Sequence, residues 1–121
     1  MNKLEPKSFK GVIPAMITSF HKNETINKES IRKTINYLIS EKVDGLYITG
    51  STGETFLMSQ EEKKQVIEII VEEVNGRVPV IAHIGSIGTK ITTELAQYAE
   101  KVGVDALSAL PPFYYGFSND E

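Results

Sequence analysis

The sequence predicts an α/β fold in which parallel strands alternate with helices. Four short apolar runs begin near residues 12, 46, 79 and 105, and segments with helical spacing separate them. Because parallel strands need a crossover connection, which is usually a helix, this alternation indicates βαβ units. A repeat of roughly thirty residues fits half of an eight-unit barrel of about 250 residues, and it also fits a small open doubly wound sheet. The pattern of elements leaves both architectures open.

The first half of the chain supplies two predicted strands and one helix. Residues 11–17 form an apolar run, and residues 45–49 form a second run rich in β-formers. Between them, residues 27–43 take helical spacing behind the N-cap residue Asn27. The apolar positions of this helix share one stripe, namely Ile31, Ile35, Leu38 and Ile39.

The second half supplies two more helices and two more strands. Ser59–Glu62 has the pattern of a capping box, and the helix behind it ends at Asn75-Gly76. Residues 78–83 are the third predicted strand and residues 105–110 the fourth. Thr89 is the predicted cap of the helix between them. Its inward positions are predicted to be Ile91, Leu95, Ala99 and Val102.

The last four residues repeat the capping pattern. Ser118–Glu121 places a serine three residues before a glutamate, which is typical of a helix start. A fourth helix is therefore predicted to begin where the chain stops. We expect residues 1–121 to be the N-terminal half of a single barrel domain, truncated at the start of that helix.

The composition excludes several classes of function. Thirteen basic and sixteen acidic side chains give a net charge of −3, which offers no basic excess for nucleic acid or an anionic membrane. No cysteine is present, so thiolate chemistry and cysteine metal sites are excluded, and the composition fits a cytoplasmic protein. No apolar stretch is long enough for a signal peptide or a membrane span.

Chemistry is expected beyond the carboxyl ends of the strands, where both candidate architectures bind ligands. Gly50–Glu54 follows the second strand, and its glycines and hydroxyls could present donors to a carboxylate or phosphate. It matches neither a Walker loop nor a dinucleotide fingerprint, and a plain turn of small residues is the simpler interpretation. The run from Pro111 to Tyr115 places two phenols at the end of the fourth strand. These could relay a proton, or they could be packing residues.

His83, Tyr47 and the lysines are further candidates for chemistry. His83 could be a base or a ligand, but the pattern favours a strand-end histidine satisfied by backbone, and no second histidine supports a metal site. Tyr47 is predicted to be a packing residue. A lysine that forms a Schiff base needs a desolvated position. No lysine lies in a predicted strand, so none is expected to be in such a position.

The predicted strands and the loops that follow them resemble the pyruvate-dependent class I aldolase family of dihydrodipicolinate synthase and N-acetylneuraminate lyase. The similarity begins with Gly11-Val12-Ile13-Pro14-Ala15 and includes the loop Gly50-Ser51-Thr52-Gly53-Glu54. It continues through Arg77–Gly85 and through Asp105–Ser108 to Pro112-Phe113-Tyr114-Tyr115. Ser51, His83 and the Phe-Tyr-Tyr run resemble the lyase branch more closely than the synthase branch.

The resemblance implies a TIM (β/α)8 barrel that binds pyruvate as an imine on a lysine, usually as a homotetramer. Ser51, Thr52 and Gly53 would bind the pyruvate carboxylate, and Ser51 and Tyr114 would join a hydroxyl relay. The Schiff-base lysine and the catalytic tyrosine of the family would lie beyond residue 121. No metal or organic cofactor is implied.

The expected function is cleavage of N-acetylneuraminate to pyruvate and N-acetylmannosamine, a reaction for which this chain alone would lack the lysine. Two alternatives remain: a dihydrodipicolinate synthase, and a non-catalytic half-barrel that self-associates through its open strand edges.

Overall fold

The computed structural model describes residues 11–50, 58–85 and 88–109. Helices and strands alternate along them. The helices are α1 (Lys28–Ser40), α2 (Gln60–Val74) and α3 (Thr89–Val102), and the strands are β1 (Leu46–Ile48), β2 (Val80–His83) and β3 (Ala106–Ser108). Within this part of the chain, no helix is long and apolar enough to span a bilayer. The predicted α/β alternation is confirmed.

The three strands form one parallel sheet in the order β1-β2-β3. Tyr47 lies opposite Ile81, and Ile81 lies opposite Ala106. α2 therefore connects β1 to β2 and α3 connects β2 to β3, so each of these helices joins two neighbouring parallel strands, whereas α1 precedes β1. The helices also contact one another in sequence, α1 with α2 and α2 with α3.

The first predicted strand, residues 11–17, is wrong as a regular strand. It forms one isolated parallel bridge, between Ala15 and Tyr47. The Tyr47 N–H donates to the Pro14 carbonyl at 2.9 Å, and the Met16 N–H donates to the Tyr47 carbonyl at 2.8 Å. Pro14 has no N–H to extend the ladder toward the start of β1, so regular pairing stops there.

The strand order distinguishes the two architectures that the sequence left open. The bridged segment, β1, β2 and β3 lie side by side in chain order. In a doubly wound sheet the first strand lies between later ones, because the order reverses at a switch point. Consecutive order is what a barrel requires.

The core lies between the sheet and the helix layer. Leu46 and Ile48 of β1 and Val80 and Ala82 of β2 are buried on the helix-facing side. The helices contribute the buried side chains Ile31, Ile35, Val66, Ile67, Ile70, Val74, Leu95 and Ala99. Leu38 and Ile39 pack at the margin of this core, and the predicted stripe of α1 is therefore confirmed.

The helix caps test the sequence interpretation residue by residue. The Asn27 side chain accepts from the Ser30 N–H at 3.0 Å, and Ser59 and Glu62 form the predicted capping box. The predicted Thr89 cap is wrong: Gly88 is the N-cap, and it has no side chain to offer. Ile91 was predicted to face inward but is 44% exposed, since it lies in the first turn beyond the edge of the core.

Two aspartates tie neighbouring strands at their amino ends. The Val12 N–H donates to Asp44 Oδ2 at 2.8 Å, and the Asp44 N–H donates back to the Val12 carbonyl at 2.8 Å. Asp105 repeats this arrangement with Val80, at 2.8 and 2.9 Å. Each aspartate thus accepts through its side chain from a backbone N–H near the start of the neighbouring segment, and it donates through its own backbone N–H to the carbonyl of the same residue.

Candidate functional site

The carboxyl ends of β1, β2 and β3 lie together at one edge of the sheet, because the strands are parallel and in register. Thr49 and Gly50 follow β1, Ile84 and Gly85 follow β2, and Ala109 follows β3. The residues predicted from the sequence to bind ligand or relay protons lie outside the described residues. These are Ser51, Thr52, Gly53 and Tyr114, and their positions stay predictions.

A polar cluster occupies the face of the sheet opposite the helices. Alternation along the strands places Tyr47, His83 and Ser108 on this face, one from each strand. The Tyr47 hydroxyl lies 3.2 Å from Ser108 Oγ, a hydrogen bond that spans β2. The Tyr47 and His83 rings lie with their centroids 6.5 Å apart. Tyr47 was predicted to be a packing residue, but its hydroxyl connects the two outer strands.

Thr49 closes β1 against β2. Its side chain is fully buried, and its Oγ1 lies 2.8 Å from the His83 carbonyl oxygen and 2.7 Å from the Ile48 carbonyl oxygen. Its φ of 56° is left-handed, a region that a β-branched residue rarely adopts. The residue that precedes the predicted ligand loop therefore has a constrained conformation.

Gly50 has no room for a side chain. A Cβ at this position would lie 2.6 Å from Cε1 of Tyr47. The Tyr47 ring therefore packs directly against the backbone at the start of the loop. This contact explains the first glycine of the predicted loop through a close approach rather than through a positive φ.

His83 is buried and uncharged at neutral pH. Burial lowers the pKa of its imidazole below the usual 6.5, and the charge of Lys63 lowers it further. A hydrogen bond to the Thr49 backbone acts in the opposite sense. This hydrogen bond agrees with the predicted strand-end histidine that is satisfied by backbone. In the described part of the chain, no three His, Asp or Glu side chains are grouped as a metal site would need.

Lys63 overturns one expectation from the sequence. No lysine was expected in a desolvated position, but Lys63, in the first turn of α2, is only 7% exposed. Burial lowers the pKa of its ammonium group below the ordinary 10.5. The expectation is wrong because a lysine outside the strands also becomes buried where its helix packs over the sheet.

Comparison with known proteins agrees with this geometry. The sequence matches the Dihydrodipicolinate synthetase family over residues 8–121. It is 44% identical over 115 residues to the N-acetylneuraminate lyase of Citrobacter koseri, an alignment that covers 95% of this chain and 39% of that protein. The chain thus spans about two fifths of the length of that relative.

Solved structures of an N-acetylneuraminate lyase and of a dihydrodipicolinate synthase also superpose on this chain. The N-acetylneuraminate lyase of Mycoplasma synoviae superposes with a TM-score of 0.86 at 46% identity, over 94% of this chain and 40% of that one. A dihydrodipicolinate synthase superposes with a TM-score of 0.83 at 47% identity, over 88% of this chain and 36% of that one.

The parallel strands in consecutive order and the TIM-barrel structural neighbours make the described residues part of a TIM (β/α)8 barrel. The chain belongs to the dihydrodipicolinate synthetase family, and the relatives named N-acetylneuraminate lyase match it over nearly its whole length.

Proposed function

We propose that the protein containing this chain is a pyruvate-dependent aldolase that cleaves N-acetylneuraminate to pyruvate and N-acetylmannosamine. The observation that carries the proposal is the match to the lyase of Mycoplasma synoviae, which extends over 94% of the chain with a TM-score of 0.86. The curated relative from Citrobacter koseri supports the same reaction at 44% identity.

The proposed cleavage requires a lysine amine that condenses with the ketone of open-chain N-acetylneuraminate and releases water. Loss of the proton from the hydroxyl group on the second carbon from the imine breaks the bond between the first and second carbons and releases N-acetylmannosamine as the aldehyde. The imine accepts the electron pair and becomes an enamine without a metal or organic cofactor, and protonation and hydrolysis of the enamine release pyruvate and restore the lysine. In the proposed assignment this lysine and the catalytic tyrosine lie beyond residue 121. Residues 1–121 would form the N-terminal half of the barrel, ending at the start of the fourth helix, with no turnover on their own.

The ligand groups of this half are proposed from the loop after β1. Ser51, Thr52 and Gly53 bind the pyruvate carboxylate through hydroxyl and backbone donors, and Ser51 and Tyr114 take part in a proton relay. The complete protein is a cytoplasmic homotetramer in this proposal. The described residues support the placement indirectly, because Thr49 and Gly50 bring the chain out of β1 at the carboxyl edge of the sheet.

The test is reductive trapping with pyruvate and borohydride on the protein expressed from its own gene, read by intact mass. Reduction converts the imine to a stable secondary amine. We expect an adduct on a species larger than the 121-residue chain. Should the adduct form on the 121-residue chain itself, the assignment of the lysine is wrong, and peptide mapping must examine the buried Lys63. Lys63→Arg would then abolish the adduct, and Lys64→Arg is its matched control.

A dihydrodipicolinate synthase is the second candidate, because a solved structure with that name is 47% identical to this chain. Both candidates form the same pyruvate imine, so trapping does not separate them. Pyruvate release from N-acetylneuraminate supports the lyase. Consumption of pyruvate only in the presence of aspartate semialdehyde supports the synthase. A stable dimer without either activity would support the self-associating half-barrel.

A further inference from the structure

Thr49 combines a strained backbone with complete burial. A β-branched residue at a φ of 56° is strained, and such a conformation persists only where the surroundings hold it. Lys42 is also left-handed, with a φ of 62°, but it is exposed and lies at the amino end of the sheet. Strain at Lys42 belongs to a surface turn, whereas strain at Thr49 lies at the carboxyl edge.

The surroundings of Thr49 hold it through a reciprocal pair of contacts with β2. Thr49 Oγ1 donates to the His83 carbonyl at 2.8 Å, and the His83 side chain hydrogen-bonds to the Thr49 backbone. Because His83 is buried, this pair is shielded from competing water. Thr49 and His83 therefore fasten the carboxyl end of β1 to that of β2.

A second set of contacts holds the next residue. The Tyr47 ring lies against Gly50 closely enough to exclude any side chain there, and the Tyr47 hydroxyl is itself bonded to Ser108 of β3. The exit of the chain from β1 is thus fixed by both other strands. Neither contact packs the helix-facing core.

We propose that Thr49 is a positioning residue that fixes the direction in which the chain leaves β1 toward Ser51 and Thr52. This inference rests on the proposed function, in which those two residues bind the carboxylate of a 2-oxo acid. Thr49 does not touch the ligand. Its hydroxyl fixes the backbone at Thr49 and Gly50, directly before the proposed ligand groups, and so it controls affinity rather than bond cleavage.

The experiment compares four variants of the complete protein: Thr49→Val, Thr49→Ser, Thr49→Gly and the control Thr93→Val. Thr93 also donates its hydroxyl to a backbone carbonyl, that of Thr89 at 2.9 Å, but it lies on the exposed side of α3. The readouts are KM and kcat with N-acetylneuraminate, and hydrogen exchange of the peptide that begins at Gly50.

Thr49→Val is expected to raise KM about tenfold, which corresponds to about 1.4 kcal/mol, with little change in kcat. Exchange in the Gly50 peptide is expected to become faster. Thr49→Ser keeps the hydroxyl and should behave as the wild type, as should Thr93→Val. Thr49→Gly relieves the strain at a φ of 56° but removes the hydroxyl, so the variant should fold and still raise KM.

Wild-type KM and exchange in Thr49→Val, or wild-type KM in Thr49→Gly, would overturn the proposal. So would equal losses in Thr49→Ser and Thr49→Val, since the hydroxyl would then not matter. The exchange readout does not depend on the reaction. If the wild type forms no imine with pyruvate, the proposed function fails, and exchange in Thr49→Val still decides whether Thr49 positions the loop.

Discussion

The two ends of the sheet hold neighbouring strands together by different means. At the amino end, the carboxylates of Asp44 and Asp105 accept from backbone N–H groups at the start of the preceding β segment. At the carboxyl end, neutral side chains make the ties: the Thr49 hydroxyl bonds to β2, and Tyr47 bonds to Ser108. The amino end therefore repeats one arrangement twice, whereas the carboxyl end combines different contacts where the chain leaves β1. We interpret the aspartate contacts at the amino end as contributions to stability. We interpret the Thr49 and Tyr47 contacts at the carboxyl end as contributions to ligand binding.

The helix-facing core supports both ends of the sheet. Removal of one of its buried side chains should therefore have the largest effect on the free energy of unfolding. Ile67→Ala removes a fully buried side chain of α2 and is expected to cost about 2–5 kcal/mol of the free energy of unfolding. Urea denaturation measures it. Ile91→Ala is the matched control, since Ile91 is largely exposed, and it should cost less than about 1 kcal/mol. Equal losses would mean that the core is misplaced.

The amino-end tie should affect stability without affecting ligand binding. Asp105→Ala leaves the half-buried Val80 N–H without its charged acceptor, and we expect a loss of about 1.5–3 kcal/mol. Denaturation and pyruvate affinity are measured on the same variant. Asp105→Asn retains a side-chain oxygen and should lose less. A fall in pyruvate affinity with unchanged stability would contradict the division between the two ends.

The Tyr47–Ser108 hydrogen bond should contribute a smaller amount. A double-mutant cycle with Tyr47→Phe and Ser108→Ala is expected to give a coupling energy of about 0.5–1.5 kcal/mol. Thermal or urea unfolding of the four proteins provides it. A coupling energy of zero would show that the two hydroxyl groups do not interact across β2.

Relief of strain at the amino end should be a small gain. Lys42 lies in the left-handed region on the surface, so Lys42→Gly is expected to stabilise the protein by up to about 1 kcal/mol. Its KM should stay at the wild-type value, in contrast to Thr49→Gly. An increase in KM for Lys42→Gly would mean that backbone strain at the amino end of the sheet also affects ligand affinity.

The smallest effect concerns pH. The pKa of His83 is lower in the folded protein than its unfolded value near 6.5, so the unfolded chain binds a proton first as the pH falls. The stability associated with His83 is therefore full above pH 6.5 and declines as the pH falls toward the folded-state pKa. Unfolding free energies of the wild type and His83→Asn, measured from pH 7.5 to 5, should diverge in that sense. Parallel curves would contradict the burial of a neutral ring.

Much of this fold could be predicted from the sequence. Periodic apolar residues located the three helices, and capping patterns at Asn27 and Ser59 located two of their starts, because both signals are local. The strand order was not predictable, since crossovers in a barrel and in a doubly wound sheet leave the same pattern in the chain. Pro14 interrupted a strand that its apolar neighbours predicted.

The candidate site was predicted only as a location. The loop after β1 was identified by its glycines, but Thr49 directly before it was missed. A threonine at the end of a strand gives no signal of a left-handed φ, which depends on β2 beside it. Burial of Lys63 was missed for a similar reason, because a lysine in the first turn of an amphipathic helix ordinarily faces solvent. Both features arise from packing between elements.

We propose that the ligand binds at the carboxyl end of the sheet. A titration of the ¹⁵N-labelled protein with pyruvate, followed by amide chemical shifts, tests it most directly. We expect the amide signals of Thr49, Gly50 and the residues after β2 to shift, and those of Asp44, Val80 and Asp105 to stay unchanged. Shifts confined to the amino end, or none at saturating pyruvate, would contradict it.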